Sequence, residues 1–283
     1  MFSLIQITFI CFILYTVFFF RDEIMHNKGK ISRFIHRLTN NNTSAGRIVE
    51  ILGNQAKIYG VNIDLSNPQI QTSLKSRFLF RNYETETINL VRKFANPNTP
   101  VVELGGAIGV VACVTNKLLN QNIKHVVVEA NPGMIKSLEN NRNKNKCSFK
   151  IVNAALGYGQ KELPFLVDRN KFVVSHLAKT MDENTISVST VSLEKIIHEN
   201  ELQNITLIVD IEGAEIDLVK HELPILKKYV STMIMEVHTG SWGPGKKAIY
   251  LMKKNLEKNG FELVHGEKIE SDVVYHNQSF RKS

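Results

Sequence analysis

The 283-residue chain predicts an α/β fold: a doubly wound, mostly parallel seven-stranded sheet behind an N-terminal transmembrane helix. Three observations predict it. Short apolar runs alternate with helical patterns from Val101 to Val237. The first of these runs ends in a glycine turn, Gly105-Gly106-Ala107-Ile108-Gly109, and the second ends in the acid Glu129. Residues 1–20, MFSLIQITFICFILYTVFFF, carry no charged side chain.

At 1.5 Å per residue, that apolar stretch spans about 30 Å, the thickness of a bilayer's hydrocarbon core. No basic residue precedes it and no small-x-small cleavage site follows, which argues against a signal peptide. A membrane-surface helix or a mis-assigned start codon is the alternative. Arg21, Lys28, Lys30, Arg33 and Arg37 follow, so the positive-inside rule keeps that flank, and the large domain, cytoplasmic. The expectation is a single-pass membrane protein whose anchor is residues 1–20 and whose polar tether is residues 21–45.

Residues 46–98 read as an N-terminal hairpin and helix leading into the main domain. Alternation from Arg47 to Asp64, with Gly53-Asn54 between the halves, suggests the hairpin. Leu74 to Phe94 reads as one helix, stopped by Asn96-Pro97-Asn98-Thr99-Pro100. The main domain, residues 99–283, opens with a strand at Val101–Leu104 and a helix through Leu119. A strand at His125–Glu129, a helix from Pro132 to about Asn141 and a strand at Phe149–Ala154 follow. Residues 157–192 are less regular, with β-like pieces at Leu163–Val167 and Ile186–Val191, and Ser192 can cap a helix. Then come a strand at Ile205–Asp210, a helix from about Glu212 and a strand at Thr232–Val237. A glycine-rich loop, Thr239–Gly245, leads to a helix ending at Gly260. Phe261–Val264 and Val273–Tyr275 close the fold as an antiparallel pair.

Composition bounds the function. With 43% hydrophobic and 22% charged residues, global disorder is excluded. The net charge of +8 suits a protein near anionic headgroups. Its lysines are scattered among asparagines without aromatic interleaving, so solvated surface accounts for most of them and no nucleic-acid partner is expected. Cys11, Cys113 and Cys147 have no metal spacing, which supports neither a zinc site nor a disulfide framework.

The glycine turn lets backbone approach a ligand closely. Glu103 at the end of the first strand would repel a diphosphate, so a dinucleotide is disfavoured. The same carboxylate suits S-adenosylmethionine, whose other end carries an ammonium and a sulfonium. Glu129 stands where a carboxylate accepts hydrogen bonds from ribose hydroxyls.

Ile205-Thr206-Leu207-Ile208-Val209-Asp210-Ile211-Glu212-Gly213-Ala214-Glu215 resembles the signature segment of FkbM-type S-adenosylmethionine-dependent methyltransferases. Tyr83-Glu84, Glu103 to Gly109, Glu129-Ala130-Asn131-Pro132, Asn153-Ala154-Ala155-Leu156-Gly157, Thr190-Val191-Ser192-Leu193-Glu194 and Glu236-Val237-His238 follow the family order, covering roughly residues 78–238. Family members more often show Asp, then Gly-Ala-Asn, where this chain has Glu103 and Gly105-Gly106-Ala107; the longer glutamate keeps the charge. The resemblance implies a Rossmann-like class I methyltransferase fold. It implies cofactor contacts at Glu103, Gly105, Gly106, Gly109, Glu129, Ala130, Asn153, Ala154 and Asp210. It also implies methyl transfer to a hydroxyl of a sugar or glycan, lipid-linked sugar or secondary metabolite.

The residues support oxygen as acceptor. The Asn/Asp-Pro-Pro-aromatic turn of base-nitrogen methyltransferases is missing after the fourth strand, where Asp210-Ile211-Glu212-Gly213 stands. No cysteine occupies the place of a base-carbon nucleophile. Asp210, Glu236 and His238 end adjacent strands and are the catalytic candidates, with His238 as general base because an imidazole titrates near working pH. Asp210 and Glu236 could instead bind Mg²⁺ and acidify the hydroxyl. Glu215 reads as structural, Glu212 as a cofactor or substrate contact and His176 as a solvated loop residue. Trp242 could stack on a sugar or pack on the core. Two other classes stay open. One is a metal-dependent glycosyltransferase using Asp210 and Glu212, and the other is a non-catalytic membrane scaffold of the same fold.

Overall fold

The computed structural model describes residues 42–166, 176–177, 185–238, 245–266 and 272–280. The expected anchor, most of the tether and the loop carrying Trp242 lie outside the described residues. Among those described, no helix is long and apolar enough to cross a membrane.

Helix α1 (Thr43–Ile51) begins where the Asn42 side chain accepts the Ala45 amide at 3.0 Å. It buries Ala45, Gly46 and Val49 at helical spacing, so the start of the stretch expected as a strand from Arg47 is helix. The hairpin comes later, pairing β1 (Gln55–Ile58) with β2 (Val61–Asp64). Its turn is Tyr59-Gly60, both left-handed at φ 51° and 86°, as a tight two-residue hairpin requires. Gly53-Asn54 only links α1 to β1. The single helix expected over 74–94 is two, α2 (Thr72–Leu79) and α3 (Thr85–Phe94). They are separated because Arg81 and Glu84 take left-handed backbone.

The main domain then runs β3 (Val101–Leu104), α4 (Val110–Leu118), β4 (His125–Glu129), α5 (Pro132–Lys144) and β5 (Lys150–Asn153). The stretch read as less regular contains β6 (Ala155–Leu156), β7 (Glu162–Leu166), β8 (His176–Leu177) and β9 (Thr185–Val191), which form a separate four-stranded sheet ordered β6-β9-β7-β8. Helix α6 (Leu193–Glu199) starts under the Ser192 cap, whose hydroxyl accepts the Lys195 amide at 3.1 Å. After it come β10 (Ile205–Val209), α7 (Glu215–Tyr229), β11 (Val230–Met235), α8 (Gly245–Lys258), β12 (Phe261–His265) and β13 (Val273–Asn277).

Seven strands form the central sheet in the order β12-β13-β11-β10-β3-β4-β5. All neighbours are parallel except β13, which runs antiparallel to β11 and β12. Strands β3, β4 and β10 are buried along their whole length, as helices on both faces demand. On one face Leu104, Val126, Val128, Leu207 and Met233 pack with α6, α7 and α8; on the other Val127 packs with Ile108, Ala112, Leu138 and Phe149. This is a doubly wound, Rossmann-like fold. Strand order reverses between β3 and β10, and a ligand crevice opens at the carboxyl ends there.

A candidate cofactor and acceptor cavity

The crevice is a cavity of about 460 Å³, within the ordinary size range of small-molecule sites. Gly105 sets its floor. Its backbone has φ +95°, and a Cβ there would stand 1.8 Å from the Asp210 carbonyl oxygen, so only glycine lets the β3 turn lie against the end of β10. Ala107, Glu84 and Glu212, which line the cavity, also take left-handed backbone, at φ 44°, 51° and 49°. Strain of this kind concentrates where a ligand is gripped.

One end is apolar, walled by Val128, Ala130, Met134, Ala154, Leu156 and Phe165. Between the ends stands Glu129, buried, its carboxylate accepting the amides of Ala107 and Asn131 at 2.6 Å each. Burial raises its pKa, and those two amides oppose the rise. Each carboxylate oxygen keeps a lone pair for a further donor. Asn153 stays behind the wall, where its Nδ2 donates to the carbonyl oxygens of Glu129 at 2.7 Å and Ala130 at 3.3 Å.

The other end is acidic. Glu84, Glu86, Asp210, Glu212, Glu236 and Asp272 line it, with Arg77 among them. Burial, then the charges of Glu84 and Glu236, push Asp210 well above the usual carboxylate range, while His238 pulls it back. Burial lifts Glu84 to about 7, Asp272 to about 7 and Glu212 to about 6.

Behind that wall His238 is surrounded by acids. Its Nδ1 is 2.9 Å from Glu215 Oε1, and its Nε2 is 3.4 Å from Glu212, 3.6 Å from Asp210 and 3.7 Å from Glu236. Burial pulls its pKa down, but the Glu215 hydrogen bond and the charges of Glu212, Glu215 and Asp210 outweigh that and raise it to about 10. A base of near-neutral pKa is therefore not what this position provides: at pH 7 the ring is an imidazolium.

Glu103, expected to face the cofactor's cationic end, is buried and does not line the cavity. Alternation along β3 puts it on the face of Val101, with its Oε2 3.7 Å from His125 Nε2. Burial raises Glu103 well above its usual range and lowers His125 to about 3, so the pair is neutral. Gly106 and Gly109 also lie outside the lining. A Cβ on either would meet Val127 or Leu138 at 2.5 or 2.6 Å, so both serve packing. Glu215, read as structural, bonds His238 and accepts the Gly213 amide at 3.1 Å. Sequence reasoning missed Arg77 and Asp272 and left Glu84 without a role.

A model of the methyltransferase FkbM domain matches residues 103–263, more than half of the chain. The chain belongs to the FkbM methyltransferase family. No curated protein matches it. Solved structures with a similar fold include a protein of the NADB-Rossmann superfamily from Streptococcus agalactiae, 11% identical over 68% of each chain with a TM-score of 0.41. The ribosomal protein L11 methylase of Lactobacillus delbrueckii subsp. bulgaricus is 10% identical over 69% of this FkbM methyltransferase and 77% of its own chain, with a TM-score of 0.41. Fibrillarin of Aeropyrum pernix, solved with natively bound S-adenosyl-L-methionine, is 11% identical over 67% and 72%, with a TM-score of 0.40. The glycosyltransferase alternative finds no counterpart in the family match.

Proposed function

We propose that this FkbM-family methyltransferase moves a methyl group from S-adenosylmethionine to a hydroxyl oxygen of a sugar or glycan, a lipid-linked sugar or a secondary metabolite. The supporting observation is one cavity holding an apolar end, a buried carboxylate beside the glycine turn and an acidic end at the strand termini. The residues fit the cofactor: the apolar end takes a purine, and Glu129 has lone pairs left for ribose hydroxyls. The acidic end suits an ammonium and a sulfonium. When bound, S-adenosylmethionine supplies an electrophilic methyl on a sulfonium.

This chain's residues hold and deprotonate the acceptor. Asp210 takes the hydroxyl proton in its ionised form, which the His238 imidazolium 3.6 Å away favours against burial and the neighbouring acids. His238, charged, positions Asp210 and Glu236 and balances them. Titrating S-adenosylmethionine into the protein should give saturable heat. Glu129→Ala, its fold checked by circular dichroism, should weaken binding about tenfold or more. A folded wild type that gives no heat sinks the reading.

A second reading is favoured by Asp210, Glu236 and His238, whose ligand atoms lie within 4.8 Å of one another. There Mg²⁺ would acidify the hydroxyl, and His238 would be a neutral ligand oriented by Glu215. An unchanged transfer rate after exhaustive chelation removes it. We also propose that residues 1–20 tether the enzyme to a membrane with its catalytic domain cytoplasmic, facing acceptors confined to the same surface.

A further inference from the structure

Segments outside residues 103–263, the stretch matched by the family, close the acidic end with side chains that methyl transfer itself does not use. Tyr83 and Glu84 lie between α2 and α3, Thr87 on α3 and Asp272 just before β13. Glu84 and Asp272 converge on a single donor: Thr87 Oγ1 is 3.4 Å from Glu84 Oε2 and 3.3 Å from Asp272 Oδ2. A threonine hydroxyl has one proton, so it serves only one of these carboxylates at a time.

Tyr83 supplies an independent sign of a ligand. It is 5% exposed and lines the cavity, its ring stacked on Phe78 at 4.4 Å and facing Arg77. Its hydroxyl has no hydrogen-bond partner among the described residues. Burial, and the nearby charges of Glu84, Asp210 and Glu236 against that of Arg77, raise its pKa, so it stays a donor. The phenol ring is packed while its hydroxyl opens to the cavity, so the partner it takes is a group that enters there.

Protons, rather than protein cations alone, make up the charge balance at this end. Six carboxylates line this end, Glu86 among them, and Glu215 sits against His238 behind it; the protein cations facing them are Arg77 and His238. The cofactor's ammonium and sulfonium, set against its own carboxylate, bring one net positive charge. The end remains acidic with the cofactor in place, and burial without a counter-charge is what holds protons on Glu84 and Asp272 near pH 7.

We infer that the acceptor is an amino alcohol, carrying an ammonium group beside its reacting hydroxyl, and that Glu84 and Asp272 bind this ammonium with Tyr83 at its side. The inference rests on the methyltransferase reading above and names its acceptor class. The new bond joins methyl carbon to the acceptor oxygen as the carbon–sulfur bond breaks, leaving a thioether. The hydroxyl proton goes to Asp210, and the ammonium keeps its N–H bonds.

The test uses the full chain in mild detergent, saturated with S-adenosylhomocysteine. Ethanolamine and ethylene glycol are titrated by calorimetry near pH 7 in two buffers of different ionisation enthalpy. Ethanolamine should bind at least about tenfold more tightly and release protons, and Asp272→Asn should remove most of that preference. Equal responses to the two probes, including none to either, overturn the inference, as does a preference that survives both Asp272→Asn and Glu84→Gln. Displacement of ethanolamine by Mg²⁺ alone reassigns the cluster to a metal and also overturns it. Failure of S-adenosylhomocysteine to bind is a separate result: it sinks the methyltransferase reading and takes this inference with it.

Discussion

His238 Nδ1 meets Glu215 Oε1 at 2.9 Å, and Glu215 also takes the Gly213 amide. The last acid of the Asp-x-Glu-Gly-Ala-Glu segment thus folds the turn and holds the histidine that balances the acids around it. The sign of the pH dependence follows. A folded pKa of about 10, against about 6.5 unfolded, means His238 stabilises the fold fully below about 6.5 and loses that contribution as pH rises through 10. The stability gap between wild type and His238→Gln in urea titrations should therefore be widest near pH 6 and close towards pH 10. A gap that widens with pH would show a neutral ring. Glu103 and Glu129 make the complementary point: both are strand-ending acids in the sequence, yet one is buried against His125 and the other faces the cavity.

Elements were legible where their signals are local. Val101–Leu104 and His125–Glu129 have the bounds expected of them, because an apolar run stopped by a glycine turn or Asn-Pro has little choice. The α1 segment misleads because Ile48 and Glu50 fit either period over so few residues. The Asn42 cap and packing on α2 decide for helix. Residues 74–94 carry one helical pattern, yet left-handed Arg81 and Glu84 split it and place Glu84 at the cavity. Contact between the β3 turn and β10 is a tight element-level constraint. Gly105→Ala should cost about 2–4 kcal/mol in chemical unfolding, from a forced φ and backbone overlap. A loss under about 0.5 kcal/mol would mean the two strand ends are not held that close.

For the whole molecule, the expected tether predicts that the full chain floats with liposomes in a density gradient and that a form lacking residues 1–20 stays at the bottom. Equal flotation of both would dismiss the anchor. The sequence by itself determined the doubly wound sheet, the glycine turn and the family, because strand periodicity and turn chemistry are written in neighbouring residues. It also brought Asp210, Glu236 and His238 to adjacent strand ends. Only the tertiary structure decided their protonation, because a pKa depends on burial and on charges far away in the chain. It alone brought Asp272 to Glu84: β13 inserts antiparallel between β11 and β12, and that return carries the residue before it back to the cavity. No local pattern near Asp272 encodes that meeting; it is a product of strand order and of the shared hydroxyl of Thr87.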